Sequence, residues 1–284
     1  MPSLEFLRRK PVNVIAVTGG KGGVGKSVLT LNLAAACAAL GRETMVLDGD
    51  LGLANLDVML GVMPRHTLAD VVGGELALSD ILIDVRPKLR IVPGASGIVS
   101  MAALGGAEHL GLVRAFGDVT AQCEVMFVDT AAGIAPGTLQ LIQAAQHVIV
   151  VVCDEPASVT DAYASIKALR KEFDIRHFKI VTNMTRRPDA GDRLFSALNR
   201  VASRFLDVIL EHAVDVREDE LLRRAIRRQR LVVEDYPHAS SSTALRALAA
   251  RCLDWPLPNG PRGNIEFFVE RALKRAPAQL QVVR

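Results

Sequence analysis

Short apolar runs alternate with longer helical patterns along most of the chain. The runs predict β-strands at Val12–Val17, Thr44–Leu47, Leu89–Val92, Val125–Val128, Val148–Val152, Phe178–Val181 and Phe205–Leu210. The segments between them predict helices at Ser27–Leu40, Gly137–Ala145, Ser158–Phe173 and Leu194–Phe205. Strands that alternate with helices are typical of an α/β domain with a doubly wound, mostly parallel sheet flanked by helices. In such a domain, functional residues are expected at the carboxyl ends of the strands.

The alternation is interrupted near the C-terminus by a segment rich in proline and glycine, residues 256–263, which no helix would cross. Beyond it, Asn264–Arg275 places apolar residues on one helical face, namely Ile265, Phe268, Val269, Ala272 and Leu273. We therefore expect one domain over 1–255 and a linker with a C-terminal amphipathic helix over 256–284. Such a helix either docks on the domain or lies in a membrane interface.

Composition narrows the class of protein. Of the 284 residues, 50% are hydrophobic and only 4% aromatic, which suits a parallel sheet covered by helices. The net charge of +3 is too small to imply nucleic-acid binding by itself. Four cysteines without a C-x-x-C pair indicate buried thiols in a reducing cytosol, at Cys37, Cys123, Cys153 and Cys252. Met1–Lys10 lacks the apolar core of a signal peptide, and no stretch is long enough to span a bilayer.

The first predicted strand leads into a glycine-rich loop. Residues Gly20–Ser27 fit the pattern G-x-x-x-x-G-K-[ST], which cradles phosphates between a strand and a helix. Four glycines allow backbone N–H groups to surround an anion, at Gly20, Gly22, Gly23 and Gly25. Lys26 is expected to reach the β- and γ-phosphates, and Ser27 offers a hydroxyl to Mg²⁺. Val24 and Val28, within and after the loop, complete the segment expected to contact the nucleotide.

A second lysine, Lys21, follows the first glycine of this pattern. The nine residues Gly19–Ser27, GGKGGVGKS, resemble the deviant Walker A motif of the MinD/ParA ATPases, a family of P-loop NTPases. In that family the early lysine reaches across a face-to-face dimer to the ATP of the partner. The resemblance implies an ATP-dependent homodimer in which Lys21 and Lys26 both take part in hydrolysis. The alternative is that Lys21 is a solvated loop lysine.

Two predicted strands end in carboxylates. Asp48 and Asp50 follow the second strand in a segment that resembles switch I of MinD-type ATPases. The resemblance implies that Asp50 positions the attacking water and that Asp48 supports the metal and the loop. Asp129 ends the run Val125–Val128, the Walker B pattern in which a buried strand delivers one carboxylate to water-bound Mg²⁺. The expected cofactors are ATP and Mg²⁺, with Ser27, Asp48 and Asp129 near the metal. The alternative for such aspartates is a cap or a turn.

Residues near the adenine base are assigned by resemblance alone. Asn183 follows another strand, where related nucleotidases use an asparagine to read the adenine edge. Residues 216–219 lie where these ATPases carry I-P-x-D against the base, with Arg217 in place of the proline. Arg217 and Asp219 are therefore expected near the base, and Asp154-Glu155-Pro156 is expected to face the dimer partner.

A dense basic run lies on a predicted helix and consists of Arg223, Arg224, Arg227, Arg228 and Arg230. Its arginines form either a solvated helix face or a surface for nucleic acid, acidic lipid or an acidic partner.

Several further segments resemble the flagellar-number regulators (FleN/FlhG) within the MinD/ParA family. They are Asp50–Asp57, Ala95–Gly97, Asp129–Ile134 and Cys153–Pro156, together with Trp255–Pro258 and Phe267–Glu270 in the C-terminal tail, residues 255–284. The resemblance implies an ATP-dependent homodimer that is cytoplasmic, associates peripherally with the inner membrane through its C-terminal helix and restrains flagellar assembly. The implied partners are a signal-recognition-type GTPase (FlhF-like) and a σ54-dependent flagellar activator (FleQ-like).

Other members of this fold give alternative functions. A ParA-type DNA-partition ATPase would bind DNA through the arginine run with a steep dependence on salt; we do not expect DNA as a partner. The missing C-x-x-C pair argues against an iron–sulfur scaffold ATPase. A tyrosine kinase of this fold usually has a tyrosine-rich tail, whereas this chain has two tyrosines, neither near its end.

Overall fold

The computed structural model describes residues 12–50, 54–94, 115–117, 119 and 122–257. Within these residues, eight strands form one sheet in the order β3-β4-β2-β5-β1-β6-β7-β8. The strands are β1 (Asn13–Thr18), β2 (Thr44–Gly49), β3 (Ile83–Arg86), β4 (Leu89–Val92), β5 (Val125–Thr130), β6 (His147–Cys153), β7 (His177–Thr185) and β8 (Ile209–Arg217). Only β3 and β4 pair antiparallel in this described sheet. The predicted doubly wound α/β fold is confirmed.

Helices cover both faces of this sheet. They are α1 (Lys26–Ala39), α2 (Leu56–Leu60), α3 (Leu68–Val72), α4 (Leu78–Ile81), α5 (Pro136–Gln143), α6 (Pro156–Phe173), α7 (Ala190–Phe205), α8 (Glu220–Arg227), α9 (Val232–Asp235) and α10 (Ser240–Asp254). One apolar layer joins α1, α9 and α10 to the sheet, and a second joins α5, α6 and α7 to the opposite face. Alanines make α1 narrow enough to be buried along most of its length.

The bounds predicted for the last strand are wrong. The run Phe205–Leu210 spans the end of α7 and the start of β8, separated by a turn in which Asp207 has a positive φ of 49°. The strand itself continues to Arg217 with polar residues between buried ones, because it lies at the edge of the sheet. The short edge strand β3 is half-exposed and carries no apolar run, so the sequence pattern did not indicate it.

The parallel strands bring the sequence motifs to one edge of the sheet. Asp48 at the end of β2 lies in register with Asp129 at the end of β5, and β5 pairs with the central strand β1. On the other side of β1, the end of β6 at Cys153 is in register with Asn183 of β7. The loop that follows β1 therefore lies between the carboxylates of β2 and β5 and the asparagine of β7.

After α10, the chain is described for three more residues, Trp255–Leu257, and the first of them is buried. Trp255 packs against His147 with ring centroids 5.2 Å apart. The predicted linker and C-terminal helix lie almost wholly outside the described residues, as do Ala95–Gly97. In the ranges given above, no helix is long and apolar enough to cross a membrane. The four cysteines, all of which lie in the described residues, are buried, as expected from the sequence.

Candidate nucleotide-binding site

The phosphate loop, residues Gly20–Ser27, joins β1 to the first turn of α1. Gly25 directly precedes α1 with a φ of 93°, a conformation that L side chains rarely adopt. A Cβ at this position would also overlap the amide nitrogen of Asn183. Glycine is therefore required at position 25 by both its backbone conformation and its contact with β7.

The two halves of this loop have different surroundings. A Cβ added at Gly20 would overlap the backbone of Asp161 in α6, so the first half of the loop is packed against that helix. At Gly22 and Gly23 a Cβ would meet no atom within 4 Å. Open space thus lies beside these two glycines, next to the N-terminus of α1, where the helix dipole favours an anion. This arrangement fits a bound phosphate chain.

Lys26 is a buried cation at the start of α1, with only 9% of its surface exposed. Burial lowers its pKa, while the carboxylates of Asp129 and Asp50 act in the opposite direction. Its ammonium group therefore lies where few waters screen it, so an entering phosphate would be attracted strongly.

Asp129 and Asp48 are both buried at the ends of their strands. Burial raises the pKa of Asp129 to about 7, and the negative charge of Asp48 adds to the effect; hydrogen bonds from Ser27 and Thr30 act against it. Burial likewise raises the pKa of Asp48 to about 6. The Thr30 hydroxyl lies 3.3 Å from the Asp129 carboxylate. Hydrogen bonds and the charge of Lys26 offset only part of the cost of burying these two negative charges. The pair of carboxylates therefore favours a bound cation.

Asp48 also organises the loop that follows β2. Its carboxylate accepts hydrogen bonds from the backbone N–H groups of Asp50 (3.3 Å), Asn55 (3.0 Å) and Leu56 (3.1 Å). These contacts hold both Asp50 and the first residue of α2. Asp50 contributes negative charge at Lys26, so the structure brings this aspartate to the same edge as the phosphate loop.

The donor set fits magnesium. The carboxylates of Asp48 and Asp129 and the hydroxyl of Ser27 are hard oxygen ligands, the type that Mg²⁺ prefers. Among the described residues, no three His, Cys, Asp or Glu side chains are grouped closely enough to hold a metal. Mg²⁺ keeps several waters and binds substrate phosphates in addition to one or two protein carboxylates, which Asp48 and Asp129 can supply.

Lys21 lies away from this buried group and pairs with Glu155, the residue that precedes α6. Its Nζ donates to Glu155 Oε2 at 2.5 Å, and both side chains are exposed. This hydrogen bond raises the pKa of Lys21 and lowers that of Glu155. Exposed pairs contribute little to stability, so Lys21 can leave Glu155 easily.

The residues assigned to the base lie at the same edge but differ in their contacts. Asn183 is buried, and its Nδ2 donates to the Val24 carbonyl at 2.8 Å. Arg217 is exposed at the end of β8. Asp219 caps α8: one carboxylate oxygen accepts from Leu221 N at 2.9 Å, and the other accepts from Ser241 N at 3.0 Å. Their roles toward a base remain predictions.

The arginine run is largely paired within its own region. Arg223 pairs with Glu218 and Glu220, and Arg227 pairs with Glu220 at 2.6 Å. Arg230 lies 3.8 Å from Asp235. These arginine side chains are exposed, and exposed ion pairs are weak, so both alternatives for the arginine run stay open.

Sequence reasoning missed several side chains at this edge. Thr30 contacts Asp129, and a cluster formed by Thr182, Thr185 and Asp215 lies behind Asn183. The sequence signal for this cluster is the pair of threonines on either side of Asn183 near the end of β7.

Comparisons with known proteins find relatives along most of the chain. A family model described as "CobQ/CobB/MinD/ParA nucleotide binding domain" matches residues 15–230. The Antiactivator FleN of Pseudomonas aeruginosa is 49% identical over 264 residues, which cover 93% of this chain and 94% of that protein. The Flagellum site-determining protein YlxH of Helicobacter pylori is 31% identical over 278 residues, which cover 96% and 94%. The solved MinC:MinD cell division protein complex of Aquifex aeolicus aligns with a TM-score of 0.70 and 25% identity, covering 87% of this chain and 98% of that one.

Proposed function

The chain belongs to the MinD/ParA family of nucleotide-binding domains, and from this premise we propose that it is a dimerising ATPase that regulates flagellar number and placement. The observation that supports ATP binding best is the open side of the phosphate loop at Gly22 and Gly23, next to the buried ammonium group of Lys26. The biological role rests on the identity to two flagellar proteins along nearly the whole chain.

In this proposal each residue of the site has a separate task. The loop glycines and Lys26 bind the phosphates, and Val24 and Val28 complete the contact with the nucleotide. Ser27, Asp48 and Asp129 hold Mg²⁺, which would neutralise phosphate charge during hydrolysis. Asp50 orients the attacking water, and Asp48 keeps Asp50 in place through the loop. Asn183, Arg217 and Asp219 form the side toward the base.

Lys21 acts on the nucleotide of a second subunit. In the single chain it is paired with Glu155, so Lys26 is the one buried lysine that the described residues bring to the phosphate loop. Dimerisation on ATP would draw Lys21 away from Glu155 toward the partner's phosphates. The weak, exposed ion pair sets only a small barrier to this change.

The partners follow from the two flagellar relatives. One relative is named an antiactivator and the other a site-determining protein. For this chain we infer a FleQ-like transcription activator and an FlhF-like GTPase as partners. The protein is cytoplasmic, and its ATP-bound dimer associates with the inner membrane through residues 256–284. One short amphipathic helix binds a bilayer weakly, so two helices in a dimer are needed for stable association. A DNA partner is not proposed, because the two flagellar relatives match nearly the whole chain.

Nucleotide titration of Lys26→Ala tests the biochemical part. ATP affinity should fall by on the order of 10²-fold, since a buried lysine that makes charged hydrogen bonds is lost. Lys88→Ala is the matched control, because Lys88 donates to the Gly41 carbonyl beyond the other end of α1. Unchanged ATP affinity in Lys26→Ala would overturn the assignment of the site.

Flagellar counts test the biological part. In a polarly flagellated host without its own relative of this protein, the parent chain should restore the normal number of flagella, and Lys26→Ala should not. If the parent chain binds ATP but does not change the number of flagella, the flagellar role is wrong and the ATPase assignment still stands.

A further inference from the structure

The end of β7 contains a bulge. The pairing of β7 with β8 changes register between Asn183 and Thr185, and the residue between them, Met184, has a φ of 57°. In a regular strand Thr182 and Thr185 would point to opposite faces of the sheet, because successive side chains alternate. The extra residue in the bulge brings both hydroxyl groups to the same acceptor.

That acceptor is the carboxylate of Asp215 on β8. Thr182 Oγ1 donates to Asp215 Oδ1 at 2.9 Å, and Thr185 Oγ1 lies 2.9 Å and 3.0 Å from the two carboxylate oxygens. Both threonines are buried. The Thr182 oxygen also lies 3.0 Å from Nε2 of His212. One carboxylate thus holds the chain on both sides of the bulge.

The first turn of α7 closes over this group. A Cβ at Gly191 would lie 2.5 Å from Asp215 Oδ1 and 2.8 Å from the Thr182 hydroxyl. The backbone of the helix therefore lies close to one side of the carboxylate, which is itself half-buried.

Asn183, between the two threonines, contacts the phosphate loop instead. Its Nδ2 donates to the Val24 carbonyl at 2.8 Å, and Gly25 has no room for a side chain beside this amide. The orientation of the Val24–Gly25 peptide therefore depends on where the bulge places Asn183. The same peptide belongs to the loop whose N–H groups are expected to surround the phosphates.

We propose that Asp215 is a positioning residue for nucleotide binding. By holding Thr182 and Thr185, it fixes the bulge, and the bulge fixes Asn183 on the Val24 carbonyl. The phosphate loop is thereby held in its open conformation before a ligand arrives, so less ordering is needed on binding. This proposal rests on the proposed ATP binding and adds a residue that does not touch the nucleotide.

A double-mutant cycle on ATP affinity tests the coupling. Asp215→Ala and Asn183→Ala should each weaken Mg-ATP binding by about 5- to 10-fold, the factor expected when the single hydrogen bond from Asn183 to the Val24 carbonyl is lost. The double variant should bind no more weakly than Asn183→Ala alone, because both changes release the same loop contact. A purely structural role for Asp215 would lower the melting temperature but give additive losses of affinity or none.

A second set of variants covers the case in which Asp215→Ala does not fold. Thr185→Val should weaken ATP binding by losing one of the hydroxyls, and Thr185→Ser should restore it. The matched control is Thr243→Val in α10. It removes a hydroxyl that donates to the carbonyl of Ala239, the residue before this helix, and it should leave ATP affinity unchanged.

The outcomes separate this proposal from the proposed function. If the parent chain fails to bind Mg-ATP, the proposed function is wrong and this inference fails with it. If the parent binds but Asp215→Ala or Thr185→Val binds equally well, only the positioning role is overturned. Additive losses in the double variant, or normal affinity in Asn183→Ala, would also overturn it.

Discussion

Replacing the buried carboxylate Asp129 with asparagine should remove most of the pH dependence of stability that this group creates in the metal-free protein. The pKa of Asp129 rises from 3.8 to about 7. Because the folded state holds the proton more tightly than the unfolded state, the contribution of Asp129 to stability is fully present below pH 4. It is lost as the pH rises through about 7.

The size of the effect follows from the pKa difference. A shift of about 3 units corresponds to about 4 kcal/mol, since each unit is about 1.4 kcal/mol. About 2 to 3 kcal/mol of this free energy is lost between pH 5 and pH 8. The pKa of Asp48 is about 6, so this group titrates in the same pH range. It also lowers the free energy of unfolding as the pH rises.

The assay is urea unfolding of the parent chain and of Asp129→Asn at pH 5 and pH 8, with a chelator present and no nucleotide. The parent should lose more unfolding free energy than the variant between the two pH values, by roughly 2 kcal/mol. A matched control is Asp84→Asn, which changes an exposed carboxylate on β3 that pairs with Arg90 at 2.9 Å. If parent and Asp129→Asn lose stability equally with pH, the burial argument for Asp129 is refuted.

The remaining predictions concern hydrolysis, dimerisation and the membrane. Asp50→Ala should keep ATP binding and slow hydrolysis by on the order of 10²–10⁴-fold, since water is no longer oriented; retained steady-state turnover would move this role elsewhere, first to Asp48. Lys21→Ala should block ATP-dependent dimerisation more strongly than nucleotide binding; a normal dimer in light scattering with a non-hydrolysable ATP analogue would exclude the cross-subunit role. Phe268→Glu places a charge on the apolar face predicted for the C-terminal tail. This variant should no longer co-sediment with anionic liposomes in the presence of ATP, while its ATP binding is unchanged. Sedimentation equal to that of the parent would mean that the tail is a structural helix.

Local patterns predicted the central part of the fold well. The pattern of a phosphate loop is visible from spacing alone, because Gly20, Lys26 and Ser27 lie within eight consecutive residues. The buried strands β1, β5 and β6 appear as apolar runs because both of their faces are covered by helices. The edge strands β3 and β8 were missed or misplaced, since a half-exposed strand has no such run.

Contacts between distant parts of the chain were not predictable in the same way. Asp215 and Thr182 are separated by 33 positions, and no periodicity connects a carboxylate on one strand with a hydroxyl on the next. The pairing of Lys21 with Glu155 spans 134 positions. Such contacts depend on strand order and register, which the sequence pattern leaves open.

The location of Trp255 has a practical consequence for optical measurements. This residue is the single tryptophan of the chain, and it packs on His147 at the start of β6. The phosphate loop lies toward the other end of the same strand, about 20 Å away at the usual rise per residue. A bound nucleotide therefore cannot touch or quench the indole directly. A change in tryptophan emission on addition of ATP would therefore report a change in the surroundings of Trp255, not a direct contact with the nucleotide. Conformational changes can thus be followed by fluorescence without an added label.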